Sequence, residues 1–353
     1  MKIGILTHHQ VHNEGAILQA YAQSQNLKHL GGEEIVDYRF KQTEDFQKRV
    51  EPPARYELFE NFINTKLPLS KYRLVSDNYE EAIEFVSEYD ALVVGSDEVW
   101  KTEAGGYSKP FPNIYWLHPK LKAKKIALAA SANRLVYGKL DSTTLSKMRS
   151  LLKEFDLLGV RDQHTLNLLK SFGLEGIKVP DPTILFDFPD IDLRDRLIKK
   201  GVNFKKPLLG LRINKKADRK HKGLAKFIPR AKKTHQVIAV SYHSKYADIY
   251  LDDLNPFEWA SVFKYFNHFV TVSYHGLIFS LKNNIPVAVI DVDKRYKTTQ
   301  SKGKDLLTDL NLMSLHGLDN SLLKINSVKY DLSLLEERQN LALAKLKEVL
   351  LDD

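Results

Sequence analysis

The sequence predicts an α/β protein of two domains. Its 353 residues exceed the usual size of a single hydrophobic core, and short apolar runs alternate with helix-like segments in a pattern that starts again near residue 200. We therefore expect a first domain over residues 1–200 and a second over residues 201–353, the latter including a terminal helix over residues 333–351.

In the first domain, an apolar strand at residues 2–7, a helix at 15–30 and a strand at 35–38 form a β-α-β opening. This opening lacks the G-x-G-x-x-G signature, which argues against a nicotinamide or flavin cofactor. Residues 40–78 are polar and interrupted by prolines, which predicts short helices and loops. The alternation then continues with helices at 80–87 and 163–171 and strands at 91–94 and 126–130.

The second domain repeats this alternation without detectable sequence repetition. Strands are predicted at residues 208–213 and 237–241, and residues 269–291 form a further β-α-β unit. A capping box that begins at Ser333 opens the terminal helix, which carries an apolar stripe. A stripe of this kind must be covered, and we expect the helix to pack across both domains.

The amino-acid composition excludes several kinds of chemical site and of partner. The absence of cysteine excludes disulfides, thiolate nucleophiles, iron–sulfur clusters and cysteine zinc sites. The formal net charge of +9 fits a solvated surface, an anionic ligand or membrane surface, or nucleic acid. Nucleic acid is not expected, because no zinc finger, RNP-type strand or helix-turn-helix spacing is found. No apolar run has the length of a membrane helix or the features of a signal peptide, so we expect a cytoplasmic protein.

The stretch Ser273-Tyr274-His275-Gly276 joins an apolar strand to a helix. Free backbone N–H groups at the start of a helix attract anions, and ligands of open α/β sheets lie at the carboxyl ends of strands. We therefore predict a phosphate-binding site here. His275 could instead be a core histidine that bonds a carbonyl, and Ser273 could be an N-cap, a phosphate donor, or both.

A second candidate site follows the strand at residues 91–94. There, Ser96 and Asp97 precede Trp100, and an aspartate beside an indole is a common way to hold a sugar. An ordinary helix cap explains the same residues equally well. We keep Asp97 as a candidate for contact with an acceptor sugar.

Polar side chains also follow the first strand of each domain. His8, His9, His12 and Asn13 fill the loop after the first strand, where they predict polar contacts to a substrate rather than a metal site. Arg212 ends the first strand of the second domain, where it could bind an anion or form a surface ion pair.

Several of these segments, in this order, resemble the motifs of the polysaccharide pyruvyl transferase family. The similarity extends over roughly residues 2–312. The matching segments are the opening strand K-I-G-I-L-T, N-E-G-A-I-L-Q-A-Y-A from Asn13 through Gln19 to Ala22, G-S-D-E-V-W at residues 95–100, A-A-S at 129–131, V-R-D at 160–162, D-P-T-I-L at 181–185 and V-S-Y-H-G at 272–276.

The resemblance implies a GT-B-like fold, with two Rossmann-like domains facing a cleft. It also implies transfer of pyruvate from phosphoenolpyruvate to two hydroxyls of a sugar in a surface polysaccharide or its precursor, with no further cofactor. On this basis His275 would contact the donor, as a general acid or a phosphate ligand, and Arg212 would assist. Asp97 or His8 would act as the base. The second domain would hold the donor and the first the acceptor.

Further assignments follow from the same resemblance. Ketal-forming members often carry arginine at the position of Ser273, so Arg212, Arg295, Lys302 or Lys304 would supply the compensating charge. The predicted donor side is therefore Arg212, Ser273, Tyr274, His275, Gly276 and Lys302, and the predicted acceptor side is Asn13, Gln19, Ser96, Asp97 and Trp100.

The expected partners are phosphoenolpyruvate and a sugar or lipid-linked oligosaccharide, with a peripheral contact to the inner membrane face. No sequence feature indicates an oligomeric state. Two other functions fit the same residues. A GT-B glycosyltransferase would bind a nucleotide-sugar diphosphate at the same junction, and a relative without catalysis would bind glycans or anions and release no phosphate.

Overall fold

A computed structural model describes residues 1–32, 34–101, 110–133, 135–291 and 301–351 of the chain. These residues form two units. The first comprises Met1–Phe186 and Ser333–Asp353, and the second comprises Asp187–Leu332.

The first unit is built on a parallel sheet of seven strands in the order β3-β2-β1-β4-β5-β6-β7. The strands β1 to β3 are added toward one edge of the sheet, and β4 to β7 are added toward the other edge. The order therefore switches between β1 and β4, and open α/β sheets bind ligands at the carboxyl ends of the strands at such a switch. The strands are β1 (Ile3–Leu6), β2 (Glu34–Arg39), β3 (Leu69–Val75), β4 (Ala91–Val94), β5 (Lys124–Ala130), β6 (Leu157–Val160) and β7 (Ile177–Lys178).

Within the described ranges, six α-helices lie between β1 and β7 in chain order. Side-chain caps begin several of them: Asn13 caps α1, Asn78 caps α4, and Asp162 caps α6. The helices are α1 (Glu14–Leu27), α2 (Lys41–Val50), α3 (Pro53–Lys66), α4 (Tyr79–Phe85), α5 (Ser142–Leu152) and α6 (Gln163–Ser171).

The second unit contains a parallel sheet of five strands in the order β10-β9-β8-β11-β12. In this sheet the strand order switches between β8 and β11. The elements are α7 (Arg194–Lys199), β8 (Leu208–Arg212), α8 (Lys215–Lys220), α9 (Lys222–Ala231), β9 (Gln236–Val240), β10 (Ile249–Leu251), α10 (Pro256–Ser261), β11 (His268–Thr271), α11 (Tyr274–Lys282), β12 (Val287–Val289) and α12 (Lys302–Asp309).

The last helix, α13 (Ser333–Leu351), belongs to the first unit and corrects our assignment of residues 333–351 to the second. It contacts β5 and β6, and the Lys124 ammonium donates to the carbonyl of Val349 over 2.8 Å. Its buried stripe includes Leu335, Ala342 and Leu346. The sequence showed the stripe, but amphipathicity alone does not identify the surface that covers it.

The first segment of the first unit ends at Phe186, earlier than the predicted boundary near residue 200.

The region at residues 40–78 also differs from the prediction of short helices and loops. It contains α2, α3 and the edge strand β3. Most side chains of β3 are exposed or half-buried, so the strand lacks the apolar run by which buried strands are recognised.

None of the helices within the described ranges combines the length and apolar character of a membrane-spanning segment.

Two buried histidines form a directed hydrogen-bond chain in the second unit. His268 Nε2 lies 3.0 Å from the carbonyl oxygen of Ile325, His268 Nδ1 lies 3.0 Å from His235 Nε2, and His235 Nδ1 lies 2.8 Å from Thr234 Oγ1. Since a carbonyl can only accept, His268 Nε2 donates to Ile325. When His268 is neutral, its Nδ1 accepts from His235 Nε2, and His235 Nδ1 then accepts from the Thr234 hydroxyl. In this arrangement both imidazoles are neutral.

Acid should therefore destabilise the second unit. Burial lowers the pKa of both His235 and His268, so protons bind more readily to the unfolded chain. Stability should be constant above the unfolded histidine pKa of about 6.5 and should fall as the pH drops below it. Amide hydrogen exchange in β9 and β11, corrected for intrinsic rates, should show reduced protection at about pH 5.5 relative to about pH 7.5. A His268→Gln variant should lose much of this dependence, and unchanged protection in the native chain would contradict it.

Candidate active site

The strand-to-helix junction of the second unit is tied together by Thr271, the last residue of β11. The Thr271 hydroxyl accepts from the backbone N–H of Ser273 over 2.9 Å, and its oxygen lies 3.2 Å from the carbonyl oxygen of Arg212. Ser273 then caps α11, because its hydroxyl oxygen accepts from the N–H of Gly276 over 3.2 Å. Of the two roles considered for Ser273, the structure therefore shows the N-cap.

Gly276 is required by a close contact at this junction. A β-carbon at this position would lie 2.4 Å from Thr271 Oγ1, which is already held by the neighbouring backbone. We expect Gly276→Ala to lower the free energy of unfolding by about 1–3 kcal/mol, as overpacking commonly does. Gly303→Ala is the matched control, because the nearest atom to its β-carbon would be Val289 Cγ1 at 3.5 Å. Equal losses for the two variants in urea unfolding would contradict this explanation.

Arg212 is buried, with 1% of its surface exposed, which excludes the surface ion pair considered from sequence. It ends β8 beside Thr271 of β11. Its guanidinium carbon lies 4.7 Å from the ring centroid of Trp259 and 5.5 Å from that of Tyr242. A guanidinium over an indole face is a favourable cation–π arrangement. The aromatic partners were not recognised from sequence, because they follow other strands of the sheet.

Tyr274 brings Lys302 to the same junction. The Lys302 ammonium lies 5.4 Å from the Tyr274 ring centroid, and the ring of His275 lies 5.6 Å from that of Tyr274. His275 is 7% exposed. The predicted donor-side residues therefore do gather at one edge of the second sheet.

The other cations considered for this edge differ in their positions. Lys304 lies with its ammonium 3.7 Å from Asp291, whose carboxylate also accepts from Ser301 over 3.1 Å and lies 3.0 Å from His316 Nε2. The positive charge of Lys304 is therefore directed at Asp291. Arg295 lies outside the described residues.

In the first unit, Gln19 has a structural role that we did not predict. Its side chain is fully buried, and its amide donates to Thr7 Oγ1 over 2.7 Å and to the carbonyl of Ala16 over 2.8 Å. Thr7 in turn donates to the carbonyl of Ser96 over 2.9 Å, and Ser96 is itself fully buried. Gln19 and Ser96 thus connect β1 to β4 and have no exposed surface for an acceptor. The side-chain oxygen of Asn13 accepts from the first turn of α1.

Asp97 forms part of a buried ion-pair chain after β4. Its carboxylate accepts from Arg161 over 3.0 Å, and the same guanidinium donates to Asp181 over 2.8 Å. Arg161 and Asp181 are buried, whereas the Asp97 side chain is 15% exposed. Asp97 can therefore still reach a ligand. Arg161 was not predicted as a site residue, although its position after an apolar strand, inside the V-R-D motif, was the available signal.

Trp100 corrects our expectation of a sugar-stacking ring. It is fully buried, and its indole N–H donates to the carbonyl of Tyr115 over 2.9 Å. Its ring packs against Trp116 and Phe155, with centroid distances of 5.8 Å and 5.7 Å. Trp100 therefore belongs to the hydrophobic core of the first unit.

His8 is held by Tyr115 at the end of β1. The Tyr115 hydroxyl lies 3.2 Å from the carbonyl oxygen of Thr7 and 3.3 Å from His8 Nδ1. The Tyr115 hydroxyl donates its proton to the Thr7 carbonyl. Its oxygen therefore accepts from His8, and the proton of that second hydrogen bond is on His8 Nδ1. The neutral imidazole then has its lone pair on Nε2, as a general base requires.

His9 and His12 instead join a buried charged network. His9 Nε2 lies 3.0 Å from Asp37, and the two ring nitrogens of His12 lie 2.6 Å from Glu51 and 3.2 Å from Glu60. Burial opposes protonation of His12, but the bonds to Glu51 and Glu60 outweigh it and raise its pKa. In the described part of the chain, no group of three or more His, Asp or Glu residues is suited to a metal ion.

Solved structures similar in fold include UDP-GlcNAc 2-epimerases. For the Methanocaldococcus jannaschii enzyme the TM-score is 0.60 at 12% identity, covering 98% of this chain and 100% of that one. For the Neisseria meningitidis enzyme bound to UDP-GlcNAc it is 0.52 at 11% identity, covering 99% and 100%. At these identities the similarity concerns the fold alone. It confirms the predicted GT-B-like class.

Sequence comparison identifies the family. A search of curated proteins gave no match. The family model for polysaccharide pyruvyl transferase matches residues 13–294, which include α1 and the Ser273–Gly276 junction. The match covers most of the chain, and the chain therefore belongs to the polysaccharide pyruvyl transferase family, a family of enzymes.

Proposed function

We propose that this enzyme transfers pyruvate from phosphoenolpyruvate to two hydroxyls of one sugar and releases phosphate. The sugar would belong to a surface polysaccharide or its precursor. The observation that carries this proposal is the junction at the start of α11, where His275 lies in the first turn, Arg212 ends the adjacent strand β8, and Lys302 lies over the Tyr274 ring. Phosphoenolpyruvate carries both a phosphate and a carboxylate, and such a junction suits a dianionic or trianionic ligand.

Serine at position 273 is compatible with this donor. Ser273 orders the first turn of α11, while Arg212 provides a buried positive charge on the adjacent strand. Lys302, at the start of α12, provides a second positive charge. We propose that these two cations supply the charge that arginine supplies in other members at position 273.

The proposed reaction proceeds through one carbon of the donor. A proton is added to the methylene carbon of phosphoenolpyruvate, and the first sugar hydroxyl bonds to the adjacent carbon and loses its proton. The bond from that carbon to the phosphate oxygen then breaks, and inorganic phosphate leaves. The second hydroxyl bonds to the same carbon and loses its proton, which completes the ketal. Of the two hydroxyl protons, one balances the proton on the methyl group and the other leaves with phosphate.

This sequence requires a general acid, a general base and stabilisation of the phosphate charge. We assign the acid or phosphate-binding role to His275. His8, whose lone pair lies on Nε2, is the better candidate for the base, because the Asp97 carboxylate is already bonded to Arg161. No electrons are gained or lost overall, so the proposal includes no redox cofactor. Phosphoenolpyruvate is made inside cells, and the proposal therefore places the reaction in the cytoplasm.

The test is phosphate release from phosphoenolpyruvate in the presence of nitrophenyl hexopyranosides with free hydroxyls. We expect release to depend on the glycoside, and we expect the product to gain the mass of pyruvate less one water. Release of UDP from a UDP-hexose with the same acceptors would instead support a glycosyltransferase. Tight glycoside binding without release of phosphate or UDP would support a relative without catalysis.

A further inference from the structure

One exposed segment of the second unit carries most of the excess positive charge. Residues 215–233 contain nine basic residues and a single acidic one, whereas the formal net charge of the whole chain is +9. All nine basic side chains are exposed. We call them the basic face: Lys215, Lys216, Arg219, Lys220, Lys222, Lys226, Arg230, Lys232 and Lys233.

The fold separates this charge from the apolar residues of the same segment. In α9, Leu224, Phe227 and Ile228 are buried in the core of the second unit. Lys222, Lys226 and Arg230 are spaced four residues apart and therefore form a single stripe on the exposed side. Like charges at this spacing repel each other and weaken a helix, so this stripe does not contribute to folding.

Asp218 and Asp248 are acidic residues within and beside the basic face. Asp218, the one acidic residue of the segment, accepts from the Ser244 hydroxyl over 2.5 Å. Lys232 pairs with Asp248 over 2.7 Å at the end of the face. Residues 215–233 still contain eight more basic than acidic side chains, on α8, on α9 and just after α9.

We propose that the basic face docks on a bilayer surface containing anionic phospholipids. Clusters of lysine and arginine on an amphipathic helix bind such surfaces through the headgroup phosphates. Seven of the nine residues are lysines, whose compact charges suit diffuse attraction rather than planar bidentate recognition. The only Phe, Tyr or Trp in the segment is Phe227, which is buried, so the face has no such ring on which bases could stack.

The docking is electrostatic and does not depend on the proposed reaction. Because the apolar side of α9 is already used in the core, the helix has no free apolar face to insert between acyl chains. Binding should therefore increase with the fraction of anionic lipid and should be reversed by salt.

The test is co-sedimentation of the full chain with vesicles. We expect binding to phosphatidylcholine vesicles that contain phosphatidylglycerol, no binding to phosphatidylcholine alone, and release at high salt. Equal binding to both vesicle types would overturn the proposal. So would failure to bind either type while binding a duplex RNA of unrelated sequence.

Variants locate the contact. A fourfold variant with glutamine at Lys215, Lys220, Lys222 and Lys226 should bind at least about 100-fold more weakly, since each lysine contributes roughly fivefold. Its phosphate release with soluble glycosides should equal that of the native enzyme, which separates docking from catalysis.

A second fourfold variant controls for net charge. It replaces with glutamine four exposed lysines of the first unit, Lys41, Lys66, Lys153 and Lys170. It has the same net charge as the first variant and should bind the mixed vesicles nearly as well as the native chain. An equal loss of binding in the two variants would show that overall charge, not the basic face, is responsible, and would overturn the proposal.

Discussion

Replacing His275 with alanine is expected to reduce phosphate release from phosphoenolpyruvate by about 100-fold or more, which is the usual contribution of a positioned acid or base. His275 is buried at the start of α11, beside Tyr274. In the proposed reaction its imidazole donates to the phosphate or protonates the methylene carbon. Initial rates at saturating and limiting phosphoenolpyruvate would measure the loss.

A glutamine variant separates the two roles of His275. His275→Gln retains a hydrogen-bond donor but cannot transfer a proton near neutral pH. If His275 is the acid, both variants should lose kcat equally, whereas a phosphate ligand should be partly restored by glutamine. His243→Ala is the control, because His243 is an exposed histidine of the same unit, bonded to Asp252. Near-native phosphate release by His275→Ala would contradict both roles.

The largest expected effect on stability comes from Arg161. The Arg161→Met variant should lower the free energy of unfolding of the first unit by about 3–5 kcal/mol, as breaking one side of a buried ion pair does. The substitution retains an apolar stem but leaves Asp181, which is fully buried, and Asp97 without their shared guanidinium. The buried carboxylates then lose the charge that offsets their desolvation.

Urea unfolding followed by tryptophan fluorescence is a suitable measurement, because Trp100 and Trp116 both lie in the first unit. Combining Arg161→Met with Asp97→Asn and Asp181→Asn should recover much of the lost stability, since the unpaired charges are then removed. A loss below about 1 kcal/mol in the single variant, typical of surface pairs, would contradict the assigned role.

The elements that sequence predicts best are those with buried apolar runs. The run at residues 91–94 is fully buried as β4, and the stretch around His275 does join a strand to a helix. The edge strand β3 was missed because its exposed side chains leave no such run. The packing surface of α13 was missed because the helix contacts strands far away in sequence.

The local backbone alone determines where some of the proposed site residues lie. Ser273 and Gly276 act at the junction through contacts within a few residues. Trp100 and Gln19 were assigned to ligand contact because each belongs to a motif near a strand end, yet both are buried by partners from other elements. Arg212 was chosen for its strand end, and its burial over Trp259 depends on packing that sequence spacing does not show.

The central claim is that the junction of the second unit binds phosphoenolpyruvate. A crystal structure of the full chain soaked with phosphoenolpyruvate tests it most directly. The account predicts the donor at the start of α11, with its phosphate or carboxylate within hydrogen-bond distance of His275 and with Arg212 and Lys302 as the nearest cations. A soaked crystal without the donor at this junction, together with UDP bound there in a parallel soak, would contradict it.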